Sequence, residues 1–229
     1  MRNLAVIFFV GLTVSAHADL TIVQRVEGAT QNGDVTVKIK GDKERIDAPS
    51  QPTRIIDGKT GEMTDLMGDR KSFLKVSAAQ IKAATESMNQ LNAGKQTTPP
   101  KLTPTGKKET INGYEAEEYA YETPQFKAAF WVAKKYPGVA DILKQMQAPI
   151  SGAWKPSNMG LPDYTDFTGL PLKTVITVGT DQVVTTIVSI KQEAINASEF
   201  EIPKDFQELK EPMRSAPEAG ASPSGSSTP

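Results

Sequence analysis

Lys59-Thr60-Gly61, Ser72-Phe73-Leu74-Lys75 and Ser87-Met88-Asn89 spell the K-T-G, S-x-x-K and S-x-N vocabulary of serine acyl transfer. That chemistry needs S-x-x-K first, opening a helix, so that the lysine can reach the serine. Here the order is reversed and the residues around Ser72 read as a strand, on which positions i and i+3 point to opposite faces. Lys75 therefore cannot activate Ser72, and the three fragments read as coincidence. Paired carboxylates are the remaining catalytic option, because glycoside hydrolysis needs only two carboxyl groups roughly 5–10 Å apart. Asp163 and Asp166, beside Tyr164 and Phe167, are the local candidates, with a turn-forming or solvated role as the weightier reading. Asp42, Glu44 and Asp47 also lie close together, but their spacing matches no calcium loop and Lys43 and Arg45 intervene, which suits a wet strand edge better than a cation. Asn196-Ala197-Ser198 is a single glycosylation sequon, relevant only in a eukaryotic source.

Imidazole and thiol chemistry is confined to one place. The only histidine is His17, there is no cysteine, and His17 falls in what reads as a cleavable leader. Met1-Arg2-Asn3 is a short positive start, Leu4 to Val14 is apolar, and Ala16-His17-Ala18 has the small-x-small form of a signal peptidase site. Cleavage is expected after Ala18, giving a periplasmic or secreted protein. The mature chain then lacks the side chains for Ser-His or Cys-His catalysis and for imidazole or thiolate metal sites. No enzyme activity, metal or cofactor is expected. Without cysteine, neither disulfides nor an acylated N-terminal cysteine are available, so stability must come from a core and the bacterial form would be released.

The formal net charge of −1, with Lys and Arg interleaved among Asp and Glu, argues against nucleic acid as a partner. After the leader no stretch approaches the roughly 20 apolar residues of a transmembrane helix. Residues 19–211 are expected to form one antiparallel β-rich domain. Residues 212–229 carry four prolines among Ser, Gly and Ala and have too little apolar bulk to order themselves, so a disordered tail is expected.

Period-two alternation dominates the domain. Val35, Val37 and Ile39 alternate with Thr36, Lys38 and Lys40; Leu20–Val26 precedes them, and short strands follow at 44–48, 53–56, 62–66 and 72–76. The spacing predicts a meander. A helix is predicted over 78–92, with Ser77 and Gln80 as a capping box and Ile81, Ala84, Met88 and Leu91 on one face against the concave side of the sheet. Residues 95–106 read as an extended connection. Asn112-Gly113 predicts a type I′ hairpin between 107–111 and 114–121, with Ile111 opposite Tyr114, Lys108 opposite Glu117 and Lys107 opposite Glu118. A strand over 126–133, a short helix from Val139 to Met146 and two strands, 172–178 and 182–190, complete the domain. Apolar residues on both faces of 183–190 predict a central strand covered on both sides.

The expected fold class is therefore α+β, mainly antiparallel β: a curved sheet covered by two helices. Such a sheet has either a solid core or a hollow one. Met63, Phe73, Met88, Leu91, Phe130 and Met146 are the candidate lining of a cavity for flexible apolar ligands, since thioethers repack easily. Ordinary core is the weightier reading of the same residues. Trp154, in the loop before the last hairpin, is placed to cap an opening or to lie on the surface.

Thr53-Arg54-Ile55-Ile56-Asp57, Leu66, Lys71, Phe73, Gly169-Leu170-Pro171-Leu172-Lys173 and Glu199-Phe200-Glu201-Ile202-Pro203-Lys204-Asp205-Phe206 carry a resemblance over nearly the whole mature chain. They resemble a family of bacterial exported proteins of unknown function whose fold is similar to the periplasmic lipoprotein-carrier (LolA-like) superfamily. The resemblance implies a half-closed barrel of antiparallel strands covered by helices, with a lipid or lipoprotein acyl chain as the expected ligand. No ligand-binding residue of the carriers maps onto this chain. A cell-envelope interaction module with a filled core, and a cell-envelope protein as partner, is the other reading.

Overall fold

The computed structural model describes residues 18–28, 32–92, 100–150 and 155–209. Residues 1–17 of the expected leader, the expected tail 212–229 and Trp154 lie outside the described residues, as do the side chains of Met88 and Leu91. The strands are β1 (Leu20–Gly28), β2 (Asn32–Lys40), β3 (Lys43–Asp47), β4 (Thr53–Asp57), β5 (Glu62–Met67), β6 (Ser72–Val76), β7 (Thr103–Ile111), β8 (Tyr114–Glu122), β9 (Lys127–Ala133), β10 (Leu170–Val178), β11 (Asp181–Gln192) and β12 (Gln207–Glu208). The helices are α1 (Ala78–Asn92) and α2 (Val139–Gln147). All twelve strands join one open sheet in the order β12-β6-β5-β4-β3-β2-β1-β11-β10-β9-β8-β7. Every pairing is antiparallel except that of β12 with β6. The fold class is the expected one: a mainly antiparallel sheet with two helices.

The meander is closed in the middle by sequence ends, because β1 pairs β2 on one side and β11 on the other. The sheet also curls. Three strand spacings, roughly 14 Å in a flat sheet, separate β8 from β11, yet the Asn112 side chain at the β7–β8 turn donates to the Ile187 carbonyl of β11. Asn112 and Gly113 take the two positive φ angles of a type I′ turn, 51° and 83°. Ile111 lies opposite Tyr114 and Lys108 opposite Glu117, as their alternation requires. The ion pairs distribute differently. Lys107 reaches Glu118 at 3.2 Å across a bulge, but Lys108 pairs with Glu115, because Glu117 is held by Lys134 at 2.7 Å.

The main core joins Leu20 and Ile22 of β1, Ile39 of β2, Leu170 and Leu172 of β10, Ile187 of β11 and Ile142 and Met146 of α2. A second cluster gathers Tyr121, Ala128, Phe130 and Val132. A third, Ile55, Leu66 and Phe73, lies under a C-terminal strap whose Ile202 and Phe206 cover it. Lys38–Glu199 at 2.8 Å and Lys71–Asp205 at 2.9 Å fasten that strap. Two glycines permit close docking near α2 and β10. A Cβ on Gly58 would lie 2.4 Å from the Pro149 carbonyl oxygen, and one on Gly169 2.6 Å from that of Ala133, so neither position has room for a side chain.

Two expectations are corrected. β11 is central, between β1 and β10, but Val188, next to the buried Ile187, keeps 45% of its surface exposed, so the strand is not covered on both faces along its length. In α1, Ile81 is buried while Ala84 is exposed, so the described part of its apolar face is covered only near its start. That start is well capped: Gln80 N donates to Ser77 Oγ at 3.3 Å and Ser77 N donates to Gln80 Oε1 at 2.9 Å. Ser77→Ala should cost about 1 kcal/mol in urea unfolding. An unchanged midpoint would mean that the first turn of α1 contributes nothing to stability.

Candidate functional site

Between α2, the loop Pro156–Phe167 and the inner face of β9–β11 lies a half-open apolar pocket of about 180 Å³. β-strand periodicity sets its floor. Phe130 on β9 pairs across to Thr174 on β10, and Thr174 to Thr185 on β11, so the three side chains lie in a row on one face. Two residues along each strand bring Ile176 and Ile187 to the same face. Leu172, the extra residue at the bulge in the β9–β10 pairing, forms one wall. Met146, in the stripe of α2 that also buries Ile142, comes down from above. Tyr164, Phe167 and Leu161 close the loop side, with Phe167 edge-on to Phe130 at 5.2 Å between ring centres.

The loop holds its shape through the two carboxylates that the sequence offers as a catalytic pair. Asp163 caps the turn Tyr164–Asp166, and its amide N donates to Asp166 Oδ2 at 2.9 Å. Asp163 Oδ1 also accepts from the Ser157 amide at 3.2 Å. Both carboxylates are thus committed to backbone donors of their own loop, which is the turn-forming role. They act on the pocket by fixing Tyr164 and Phe167 over it.

Besides the Tyr164 hydroxyl, three uncharged polar side chains line the pocket: Gln24 of β1, Thr174 and Thr185. No side-chain hydrogen bond is formed by any of them among the described residues. No Lys or Arg is among the lining residues. Lys173, next to Thr174, projects to the other face, where its Nζ sits 3.0 Å from Glu109 and 4.6 Å from the centre of the Trp131 ring. Two acidic groups lie here, the Tyr164 hydroxyl and the Glu44 carboxyl. Tyr164 keeps part of its ring exposed, but enclosure of its hydroxyl, and then the nearby Glu44 carboxylate, push that hydroxyl well above the usual phenol range. Glu44 itself is pushed up to about 7 by burial. It sits on β3 opposite Ile39 and Ile56 and has no ion pair among the described residues.

The expected lining residues scatter. Phe130 and Met146 meet in this pocket. Phe73 lies in the separate cluster under the C-terminal strap. Met63, half-buried on β5, faces Ile56 and Val76 and is not among the pocket residues. Met88 and Leu91 lie outside the described side chains. Leu172, Thr174, Ile176, Thr185 and Ile187 are the residues that sequence reasoning missed. Period-two alternation puts them on one face of β10 and β11, but nothing local says that this face stays partly uncovered. Neither Asp42, Glu44 and Asp47 nor any other acidic group forms a cluster able to hold a metal ion among the described residues. Asp47 is instead held by Arg45, at 2.8 and 2.9 Å, and by the Thr53 hydroxyl at 2.7 Å. No helix among the described residues is long and apolar enough to cross a membrane.

The family described as "Domain of unknown function (DUF4412)" matches residues 20–206. No curated protein matches the chain. Among solved structures, PNGF-II in a C2 crystal form is similar at 16% identity and a TM-score of 0.41, over 85% of this chain and 31% of that one. The lipoprotein LppX of Mycobacterium tuberculosis is similar at 11% identity and a TM-score of 0.38, over 79% and 90% of the two chains. LprF from Mycobacterium bovis follows at 10% and 0.34, over 83% and 90%. The chain thus spans about a third of the length of PNGF-II and most of the length of the other two.

Proposed function

We propose that this chain, which belongs to the DUF4412 family of domains of unknown function, is an exported, non-enzymatic protein that binds a hydrophobic ligand in the pocket beneath α2. The observation that carries this reading is a half-open recess lined by the apolar side chains of Phe130, Met146, Leu172, Phe167 and Ile187 beside the main core. At about 180 Å³ the recess is comparable to an apolar cavity that takes up benzene, and below the roughly 300–1,000 Å³ of pockets that enclose a drug-sized molecule. The buried part of the ligand is therefore a short apolar segment, such as a ring or the end of an acyl chain. Export is supported by the leader and by the way the domain starts. Asp19, the residue after the expected cut, is anchored by Lys40 at 2.6 Å and by the Ile195 amide at 2.8 Å, and β1 begins at Leu20. The small volume also favours the second reading, a cell-envelope interaction module whose recess is only a packing defect.

Native mass spectrometry of the mature protein taken from its own compartment, with extraction of any bound mass, separates the two. A co-purifying apolar species supports the binding reading. In parallel, N-phenyl-1-naphthylamine should bind saturably, and Thr185→Phe, which fills the recess from β11, should weaken that binding at least tenfold. A clean apo mass with no saturable probe signal leaves the interaction module.

A further inference from the structure

Resting on the reading of this pocket as a ligand site, we propose that its ligand carries an uncharged hydrogen-bonding head, an amide, ester or alcohol, next to the buried apolar segment, and that anionic amphiphiles are excluded. Two independent features of the walls lead there. The first is unused polar capacity. Gln24, Thr174 and Thr185 line the same recess as Phe130 and Ile187, and their side chains form no hydrogen bond among the described residues. A Gln amide and two hydroxyls offer both donors and acceptors, which suits a neutral group that needs both. A polar group taken out of water into this recess without such partners would lose its hydrogen bonds to water uncompensated. With them, the head is satisfied and its position along the sheet is fixed.

The second feature is the sign of the surroundings. A carboxylate or phosphate entering an apolar recess needs a cation or several committed N–H donors. The lining residues include no Lys or Arg. Lys173, the cation nearest in sequence to the floor, is turned to the opposite face and held by Glu109 and Trp131. The loop that closes the recess carries Asp163 and Asp166, whose carboxylates occupy its amide donors at Ser157 and Asp163. Glu44 lies close enough to Tyr164 to oppose loss of its proton. An anion would therefore meet carboxylates on the roof and no Lys or Arg among the described lining residues, with the Ser157 and Asp163 amides already taken.

A matched set of eight-carbon probes tests this: octanamide and octanoate, titrated at pH 7.5 into mature protein labelled with 13C at its methionine methyl groups, with the Met146 signal assigned through Met146→Leu. Octanamide should shift the Met146 methyl with an affinity at least tenfold tighter than octanoate. Thr174→Val, which keeps side-chain shape, should reduce that preference severalfold without unfolding the protein. Octanoate binding as tightly as octanamide, with both lost in Thr185→Phe, would overturn the head-group assignment while leaving the pocket as the ligand site. A Met146 methyl that neither probe moves would overturn the pocket reading, and this inference with it.

Discussion

Leu172→Ala is expected to cost about 3 kcal/mol in urea unfolding and, in the same protein, to strengthen the effect of an apolar ligand. Leu172 is 1% exposed and belongs to the main core, where leucine truncations lose roughly 2–5 kcal/mol through transfer and cavity terms together. It is also a wall of the pocket, so the volume released adds to space that is already open. Ile142 supplies the control. It is equally buried, sits in the same core on α2 and does not line the pocket. Ile142→Ala should cost a similar ~3 kcal/mol and leave ligand stabilisation as in the wild type. A ligand present at 100 times its dissociation constant adds about 2.7 kcal/mol by mass action. The increment at a fixed octanamide concentration should thus be largest for Leu172→Ala. Equal increments in all three proteins would mean that Leu172 does not border the ligand.

The strands were legible in the sequence because each is a local pattern. Val35, Val37 and Ile39 on one face and Thr36, Lys38 and Lys40 on the other needed only a two-residue period, and Asn112-Gly113 needed only the tolerance of those residues for positive φ. The capping box at Ser77 and Gln80 was legible for the same reason. What covers each face was not. Phe73 and Met63 both read as apolar strand residues, but whether a strand face meets a helix, a loop or the C-terminal strap depends on segments outside the local strand pattern. Phe73 meets Ile202 and Phe206. Phe130 and Thr174 meet Tyr164 and Phe167 of a loop whose Gly, Pro and Asp content marks turns but not a landing place. The threonines of the pocket were the hardest to find. On β10 and β11 a threonine reads as the wet position of an amphipathic strand, and its placement inside the curl follows from closure of β11 on β1, which no local period encodes.

Glu44→Gln should stabilise the protein by roughly 2 kcal/mol at pH 8 and leave it nearly unchanged at pH 4.5. Burial holds the Glu44 carboxyl at about 7 in the folded chain against 4.5 for an unperturbed glutamate, and a unit of pKa difference is about 1.4 kcal/mol. The residue keeps some exposed surface, which brings the full shift down to roughly 2 kcal/mol. The sign follows from proton counts. Between pH 4.5 and 7 the folded state retains the Glu44 proton and the unfolded state has lost it, so stability falls as pH rises through this window. Below it both states are protonated, and above it both are ionised, so the contribution is flat on either side. The groups that shift the other way act in a different window. Asp34, Glu117, Glu199 and Asp205 are held below their ordinary values by hydrogen-bonded partners, chiefly Arg25, Lys134, Lys38 and Lys71. Asp47 is lowered by hydrogen bonds from Arg45 and Thr53, against an opposing effect of burial. Their stabilisation is present above about pH 4.5 and lost in acid, so it leaves the neutral window to Glu44. Urea unfolding from pH 4.5 to 8.5 should show the wild type losing stability toward neutrality while Glu44→Gln stays level. A glutamine variant that loses stability with the same slope would place the proton on another group. One that is less stable than the wild type at pH 8 would mean that the Glu44 charge is compensated by its surroundings.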